Sequence, residues 1–373
     1  MTGVATNRQG LRKAWFQAHK WIALVLMIVL IPLGLTGVVL AWDDAIDHGL
    51  NPKRYAVSGE TTLAPSAYAA AAQATLGGDE RIAMIRYPDG DGPVIVNATL
   101  VPKEKPKHDG PPKRATVWLD PPAARLLDRA TSDTGLVRFA HNFHGNLLVP
   151  GIGRALVGLL GVVMFLMAAS GVWLWWPPMG RWTRGLRWQR GDRKLDTNLH
   201  HRVGFWIALP LATQAFTGVW IASPQMIALF GGGAPGGNRA RPVPVANPHL
   251  APDAALAAAI GATPGKPLSI AWPTGEDGPW KISLATPKGP ANVEVDDASG
   301  TAEIARKRDN GGLAMVMRHW HDGTTLGFGW RIVMVAIGLA PTLLGITGLL
   351  MWWRGRHWRN PKRVRAKTEG VAA

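Results

Sequence analysis

Four stretches without a charged residue constrain this chain more than anything else in it: Trp21–Trp42, Ala155–Trp176, Val203–Ser223 and Ile332–Trp353. At about 1.5 Å of rise per residue, a helix of about 22 residues covers about 33 Å, close to the hydrocarbon thickness of a bilayer. Each stretch is therefore expected to cross a membrane as a helix. Tryptophans at the stretch ends, Trp21, Trp42, Trp175, Trp176, Trp352 and Trp353, suit the membrane–water boundary. The first stretch is too long for the apolar region of a signal peptide and no small-residue cleavage site follows it, so it reads as a retained helix.

The chain has 373 residues and a formal net charge of +16. Such a balance could point to nucleic acid, but the charge is not spread that way. Residues 1–20, 180–202 and 354–373 together hold 18 of the 41 Lys and Arg, against three of the 25 acidic residues (Asp192, Asp196 and Glu369). All three segments flank span ends on the same side of the predicted topology. This is the positive-inside pattern. It puts both termini and the 180–202 loop in the cytoplasm, and the long segments 43–150 and 224–328 outside. The tract "RWTRGLRWQRGDRK" (181–194) then reads as a contact for anionic lipid headgroups, not nucleic acid.

There is no cysteine. Disulfides, iron–sulfur clusters, thiolate metal sites and covalent c-type haem attachment are excluded. No P-loop or H-E-x-x-H occurs, and "GIGR" and "GFGWR" precede membrane stretches instead of opening a nucleotide-binding helix.

The chain repeats itself. "HGNLLVPGIGRALVGLLGVVMFLMAASGVWLWW" (144–176) aligns without gaps on "HDGTTLGFGWRIVMVAIGLAPTLLGITGLLMWW" (321–353), matching His144 to His321, Arg154 to Arg331 and Gly171 to Gly348. "HKWIAL" from His19 and "HRVGFW" from His201 each open a span that later carries Thr-Gly, at Thr36-Gly37 and Thr217-Gly218. The outer segments correspond too. "PSAYAAAAQATLGG" (65–78) and "PDAALAAAIGATPG" (252–265) read as short helices with Ser66 and Asp253 as N-caps. "DGPVIVNATL" (91–100) and "DGPWKISLAT" (277–286) read as strands, and "VWLDPPAARLLD" (117–128) and "VEVDDASGTAEI" (293–304) as strand–turn–strand. The Pro/Gly-rich tracts 103–114 and 231–248 read as linkers.

The expected architecture is an α-helical membrane protein with α+β extramembrane modules, a four-helix transmembrane bundle made from a tandem repeat. Its parts are helix 1 (15–42), outer module 1 (43–135), a juxtamembrane segment with helix 2 (136–179), a basic loop (180–200), helix 3 (201–224), outer module 2 (225–312), a juxtamembrane segment with helix 4 (313–354) and a basic tail (355–373). Both copies share one orientation, so the repeat axis should run along the membrane normal.

Symmetry also sorts the 11 histidines. His19 and His201 pair at the cytoplasmic face, with His200 and His357 as reserves. His144 and His321 pair at the outer face, with His141 and His319 beside them. Imidazoles facing each other across a two-fold axis can hold a b-type haem iron from both sides, and neutral imidazole is also a general transition-metal ligand. Arg154 and Arg331 stand between the outer histidines and the spans, where each could bind a haem propionate or reach to the interface. The glycines Gly37, Gly171, Gly218 and Gly348 could serve close helix packing or give room to a porphyrin face.

With these motifs the chain resembles the PepSY-associated transmembrane family of bacterial inner-membrane proteins. The resemblance rests on "HKW…LTG", "HRV…FTG", "HGN…GVWLWW", "HDG…GLLMWW" and outer modules similar to PepSY domains. It implies two PepSY-like periplasmic domains, and two b-type haems, each held non-covalently by two histidines from among His19, His201, His144 and His321. It further implies a transmembrane oxidoreductase that reduces a ferric siderophore in the periplasm. The electron donor would be a cytoplasmic reductase or a membrane quinol. A substrate pocket would lie between the outer modules, with Trp118, Trp272, Trp280 and Trp320 as candidate wall residues. Two other expectations stand beside this one: a non-enzymatic membrane protein whose outer modules bind a periplasmic protein or peptide, and a haem reductase of another periplasmic acceptor.

Overall fold

The computed structural model describes residues 2–101, 114–131, 134–176, 194–223, 243–275, 278–305, 312–323 and 326–357. Most of the expected basic loop, nearly all of the basic tail, the 103–114 linker up to residue 113, the Gly/Pro tract up to residue 242, His108 and the side chain of His357 lie outside the described residues. In chain order the elements are α1 (Thr2–Ala41), α2 (Asp43–Leu50), α3 (Pro65–Gln73), β1 (Glu80–Arg86), β2 (Val94–Leu100), β3 (Arg114–Leu119), β4 (Leu126–Thr131), α4 (Leu136–Asn146), α5 (Gly153–Trp175), α6 (Leu195–Ala222), α7 (Pro252–Ala262), β5 (Lys266–Ala271), β6 (Trp280–Thr286), β7 (Gly289–Val295), β8 (Ala302–Ile304), α8 (Gly312–Asp322) and α9 (Gly327–His357). They gather into two compact units. One comprises Met1–Trp42, Ala140–Gly231 and Leu313–Ala373; the other comprises Asp43–Phe139 and Gly232–Gly312.

In the first unit, α1, α5, α6 and α9 contain four segments long and apolar enough to cross a membrane: Gly10–Ala41, Gly153–Trp175, Leu195–Ala222 and Gly327–Arg356. Each begins before its charge-free stretch because a helix extends into the polar boundary as long as nothing there breaks it. The helices pack as α1 on α9 and α5 on α6, and both crossings bring backbones together. A Cβ on Gly34 would stand 2.3 Å from the Gly338 carbonyl oxygen, and one on Gly338 would stand 2.6 Å from Val38 Cγ2. A Cβ on Gly161 would stand 2.7 Å from Val219 Cγ2 and 3.3 Å from the Ala215 carbonyl oxygen. Small residues at such points let lipid-embedded helices approach closely enough for dispersion contact along their length.

Arginines cap helix ends in this unit. Arg12 donates to the carbonyls of Leu174 (2.6 Å) and Trp176 (2.9 Å) at the end of α5, a favourable place for a cation beside unpaired carbonyls. Arg354, near the end of α9, pairs with Asp196 in the first turn of α6.

The second unit is an eight-stranded antiparallel sheet, ordered β4-β3-β2-β1-β5-β6-β7-β8. The two halves of the chain join at its centre, where Met84, Ile85 and Arg86 of β1 pair with Ala271, Ile270 and Ser269 of β5. The seam is therefore hydrogen-bonded sheet, and the expected pocket between two separate modules is not what fills that place. Of the four expected wall residues, Trp280 is fully buried and Trp118 and Trp272 nearly so, whereas Trp320 is exposed and belongs to the other unit. Helices α3 and α7 pack on the sheet, and Tyr68, Ile85, Val94, Val117, Ile270, Leu284 and Val293 share that one core.

Ser66 and Asp253 also differ from expectation. Both helices start two residues earlier than that, at Pro65 and Pro252, and the N-cap residues Ala64 and Ala251 offer no side-chain bond. Proline at the first position lacks an N–H, so the first free donor of α3 belongs to Ser66. That N–H (2.8 Å) and the Ser66 hydroxyl (2.6 Å) both donate to the Asp253 carboxylate. One half of the sheet unit thus caps the helix of the other.

Asp120, 1% exposed, accepts from the Ser58 N–H (2.8 Å) and hydroxyl (2.7 Å). The Ser58 N–H holds its carboxyl below the ordinary range, against the effect of burial, and the Ser58 hydroxyl and Arg125 add to the depression. A depressed carboxyl stabilises the fold above its unfolded-state pKa and loses that contribution as pH falls through the folded value. Asp120→Asn is expected to lower the melting temperature at neutral pH and to weaken the loss of stability below about pH 4. Thermal melts of the parent and the variant across that range check it.

Candidate functional site

Four histidine rings in the membrane unit share one arrangement. Each rests on a hydroxyl–glycine pair of a neighbouring helix. His144, on α4, reaches α1: its Nδ1 lies 2.9 Å from the Leu33 carbonyl and 3.4 Å from Thr36 Oγ1. A Cβ on Gly37 would stand 3.1 Å from its Cε1. His321, on α8, reaches α6: its Nδ1 lies 3.0 Å from Thr217 Oγ1, and a Cβ on Gly218 would again stand 3.1 Å from Cε1. His19, on α1, reaches α5, with Nδ1 2.8 Å from Ser170 Oγ and Cε1 3.5 Å from the Cβ position of Gly171. His200, on α6, reaches α9, with Nδ1 3.0 Å from Thr347 Oγ1 and Cε1 3.5 Å from the Cβ position of Gly348. The four glycines admit the edges of histidine rings, a use that neither helix packing nor porphyrin clearance had covered.

These contacts fix where each ring carries its proton. A hydroxyl has one hydrogen to give. Ser170 lies 3.0 Å from the Met167 carbonyl, Thr217 3.0 Å from that of Thr213, and Thr347 2.7 Å from that of Leu343. Each hydroxyl thus donates back along its own helix and is left to accept from the histidine. For His144 the partner is a carbonyl, which can only accept. In all four rings Nδ1 therefore bears the hydrogen, and Nε2 of the neutral ring keeps a lone pair. A second partner that sets the tautomer and aims the ring is what a metal-binding imidazole requires.

The rings come in two levels. His144 and His321 face each other with ring centroids 6.2 Å apart. Two imidazoles sharing one metal at about 2.0–2.1 Å from each nitrogen would have centroids about 6.3 Å apart, so the separation of this pair matches that spacing. His19 and His200 occupy the other level, each seated on the glycine that the repeat matches to the other's, Gly171 and Gly348. Thr36 lies 17 residues after His19, and Thr217 lies 17 residues after His200. At helical rise this separates the levels by about 26 Å, most of a bilayer's core. Among the described residues no group of three or more His, Cys, Asp or Glu side chains gathers to hold a metal. Each level offers two protein nitrogens.

His201, expected to pair with His19, is not in the seat equivalent to that of His19. Its Nδ1 lies 2.7 Å from the Thr197 carbonyl of its own helix, and His200 takes the seat. The spacing to Thr-Gly is the signal that finds it: counted from Thr217, His200 and not His201 matches His19. Arg154 and Arg331 stand where the alignment puts them, but at helix ends. Arg154 donates to the Ile221 carbonyl (2.5 Å) near the end of α6, and the Arg331 guanidinium lies 5.9 Å from the ring centre of Trp42, just past α1. Gln214 carries no motif that would mark it in the sequence. It stands where the first copy has Leu33, and its Nε2 donates to the His321 carbonyl (2.9 Å), tying α8 to α6.

Four apolar spans and histidine rings seated at two levels define a multispanning membrane protein, which also carries an α+β unit. The chain belongs to the family of the PepSY-associated TM region, which it matches over residues 16–355. No curated protein matches it.

Proposed function

We propose that the chain is a transmembrane electron carrier of the bacterial inner membrane that holds two b-type haems and reduces a ferric siderophore in the periplasm. The observation that carries this reading is the set of four equivalent histidine seats, each with its Nδ1 engaged and with no hydrogen bond at its Nε2 among the described residues. Two nitrogens per level complete the coordination of an iron already held by the four nitrogens of a planar macrocycle. His144 with His321 would hold one haem and His19 with His200 the other. Bound there, haem iron would supply reversible one-electron transfer.

The chain's own residues do the rest. Thr36 with Leu33, Thr217, Ser170 and Thr347 orient the imidazoles and raise their basicity through the Nδ1 hydrogen bond. The apolar helices exclude water from both levels. The excess of Lys and Arg at one end supports a topology with both termini and the His19/His200 level on the cytoplasmic side. The halves of the sheet unit are read as two PepSY-like modules of a tandem repeat. A siderophore binds Fe(III) through hard oxygen donors, and one electron gives the softer Fe(II) that it holds poorly. The electrons would come from a cytoplasmic reductase or a membrane quinol.

Purified protein in detergent is expected to give a reduced-minus-oxidised spectrum of b-type haem at about two per chain. Under anaerobic conditions ferric siderophore is expected to re-oxidise it. Protein expressed with an ample haem supply that still binds none would overturn the whole reading. Haem that no ferric siderophore re-oxidises would overturn the substrate alone.

A further inference from the structure

Helices α4 and α8 each present three sectors. With successive residues about 100° apart, Leu313, Val316 and Trp320 fall on one line of α8, Arg318 and Asp322 on the opposite side, and His321 on a flank between them. The same positions of α4 carry Leu136, Phe139 and Phe143, then His141 and Gly145, then His144. The histidine flank is the one turned onto α1 and α6. The opposite sector is exposed at His141, Gly145, Arg318 and Asp322, as expected of a face in water. The apolar line is exposed as well: Leu313 at 43%, Val316 at 56%, Trp320 at 41% and Leu136 at 50%. In water each such side chain would forgo about 25 cal/mol for every Å² left unburied.

The exposed line does not stop at the helix ends. Leu148, Val149 and Ile152 continue it to α5, and Leu326 and Phe328 continue it to α9, all exposed. From there it merges with the outward residues of the spans, Leu159 and Ile332 among them. Trp320 packs on Trp330 with ring centres 4.8 Å apart at the same junction, where a tryptophan suits the boundary between lipid and water.

We propose that α4 and α8 lie in the plane of the membrane interface, with their apolar lines sunk among the acyl chains and their opposite sectors in water. The occupant of the apolar line is the bilayer itself. Each helix is then an interfacial arm that carries its histidine sideways into the bundle, so that the His144/His321 level lies just below the membrane surface. A reaction partner of that level is met at the membrane surface. This inference rests on the membrane fold and on no cofactor.

The chain has no cysteine, so single cysteines can be placed and spin-labelled without a background. Val316→Cys and Leu136→Cys test the apolar lines, Arg318→Cys and His141→Cys the opposite sectors, and Leu159→Cys gives a lipid-facing reference. The full chain is reconstituted in nanodiscs of phosphatidylethanolamine and phosphatidylglycerol. Relaxation of the labels is measured with oxygen, which partitions into lipid, and with a nickel chelate, which stays in water. Labels at 316 and 136 are expected to follow 159, with an oxygen-to-nickel ratio severalfold above those at 318 and 141. A ratio at 316 and 136 equal to that at 318 would put the apolar lines in water and overturn the proposal. Labels shielded from both reagents would also overturn it, because protein, whether a second copy or this chain, would then cover them.

Discussion

Haem content is expected to fall from about two to about one per chain when His200 is replaced by alanine, and to stay at about two when His201 is. His200 is the ring on Thr347 and Gly348, with no hydrogen bond at its Nε2 among the described residues, whereas His201 hydrogen-bonds to its own helix at Thr197. His19→Ala should give the same loss as His200→Ala, and the double variant no further loss, because the two rings serve one level. His144→Ala and His321→Ala should remove the other haem in the same way. Quantified haem per purified chain reads all of these. Loss on His201→Ala with retention on His200→Ala would move the site to the neighbouring ring and undo the assignment. Gly348→Leu offers a second check that leaves every histidine in place, since its side chain would be built against the His200 ring edge.

Gly338→Val should strike the bundle itself. At that position a Cβ already meets Val38 Cγ2 at 2.6 Å and the Gly34 carbonyl oxygen at 2.8 Å. Backbone carbonyls cannot move aside as a flexible side-chain end can, so α1 and α9 must separate. Overpacking of this kind costs about 1–3 kcal/mol and more where the backbone is the obstacle. Gly161→Val should do the same to α5 and α6. Gly329→Ala is the control, because nothing stands within 4 Å of its Cβ position. Unfolding in mixed detergent micelles, followed by intrinsic fluorescence, should show the two valine variants shifted to lower denaturant and the alanine variant unmoved.

What could be read from the sequence followed from how each feature is encoded. The spans are legible because lipid tolerates few charges, so their absence over about 20 residues leaves little else for the segment to be. Thr36-Gly37 and Thr217-Gly218 were visible as a repeated pair, but their use was not: that a glycine admits a ring edge depends on which neighbouring helix delivers the ring. Pairing His19 with His201 rests on the edge where an apolar stretch begins, whereas the structure seats the ring one residue earlier, His200, on Thr347 and Gly348. A helix crosses that edge freely, whereas the Thr-Gly pair marks a fixed position on it. Strands β2, β3, β6 and β7 announced themselves by alternation, turns or both. β1 and β5 did not. Their registers shift between Ile82 and Met84 and between Pro267 and Ser269, and a bulge breaks the period of two on which strand reading depends. The seam of the sheet was therefore hidden in the two strands that form it. The cap that Asp253 gives to α3 was likewise out of reach, since it joins residues far apart in the chain.

That seam has a consequence for how the protein is made. β1 leaves the ribosome well before β5, and the whole of α5 and α6 is synthesised between them. Until two further spans have been inserted, the strand that ends up at the centre of the sheet has a bare edge, the kind of edge that recruits the wrong partner. Met84, Ile85 and Arg86 find their native neighbours only after the second half of the sheet begins to emerge. Completion of the sheet is thus a late checkpoint in biogenesis, and a chain stalled after its second span would expose β1 to aggregation or to quality-control proteases.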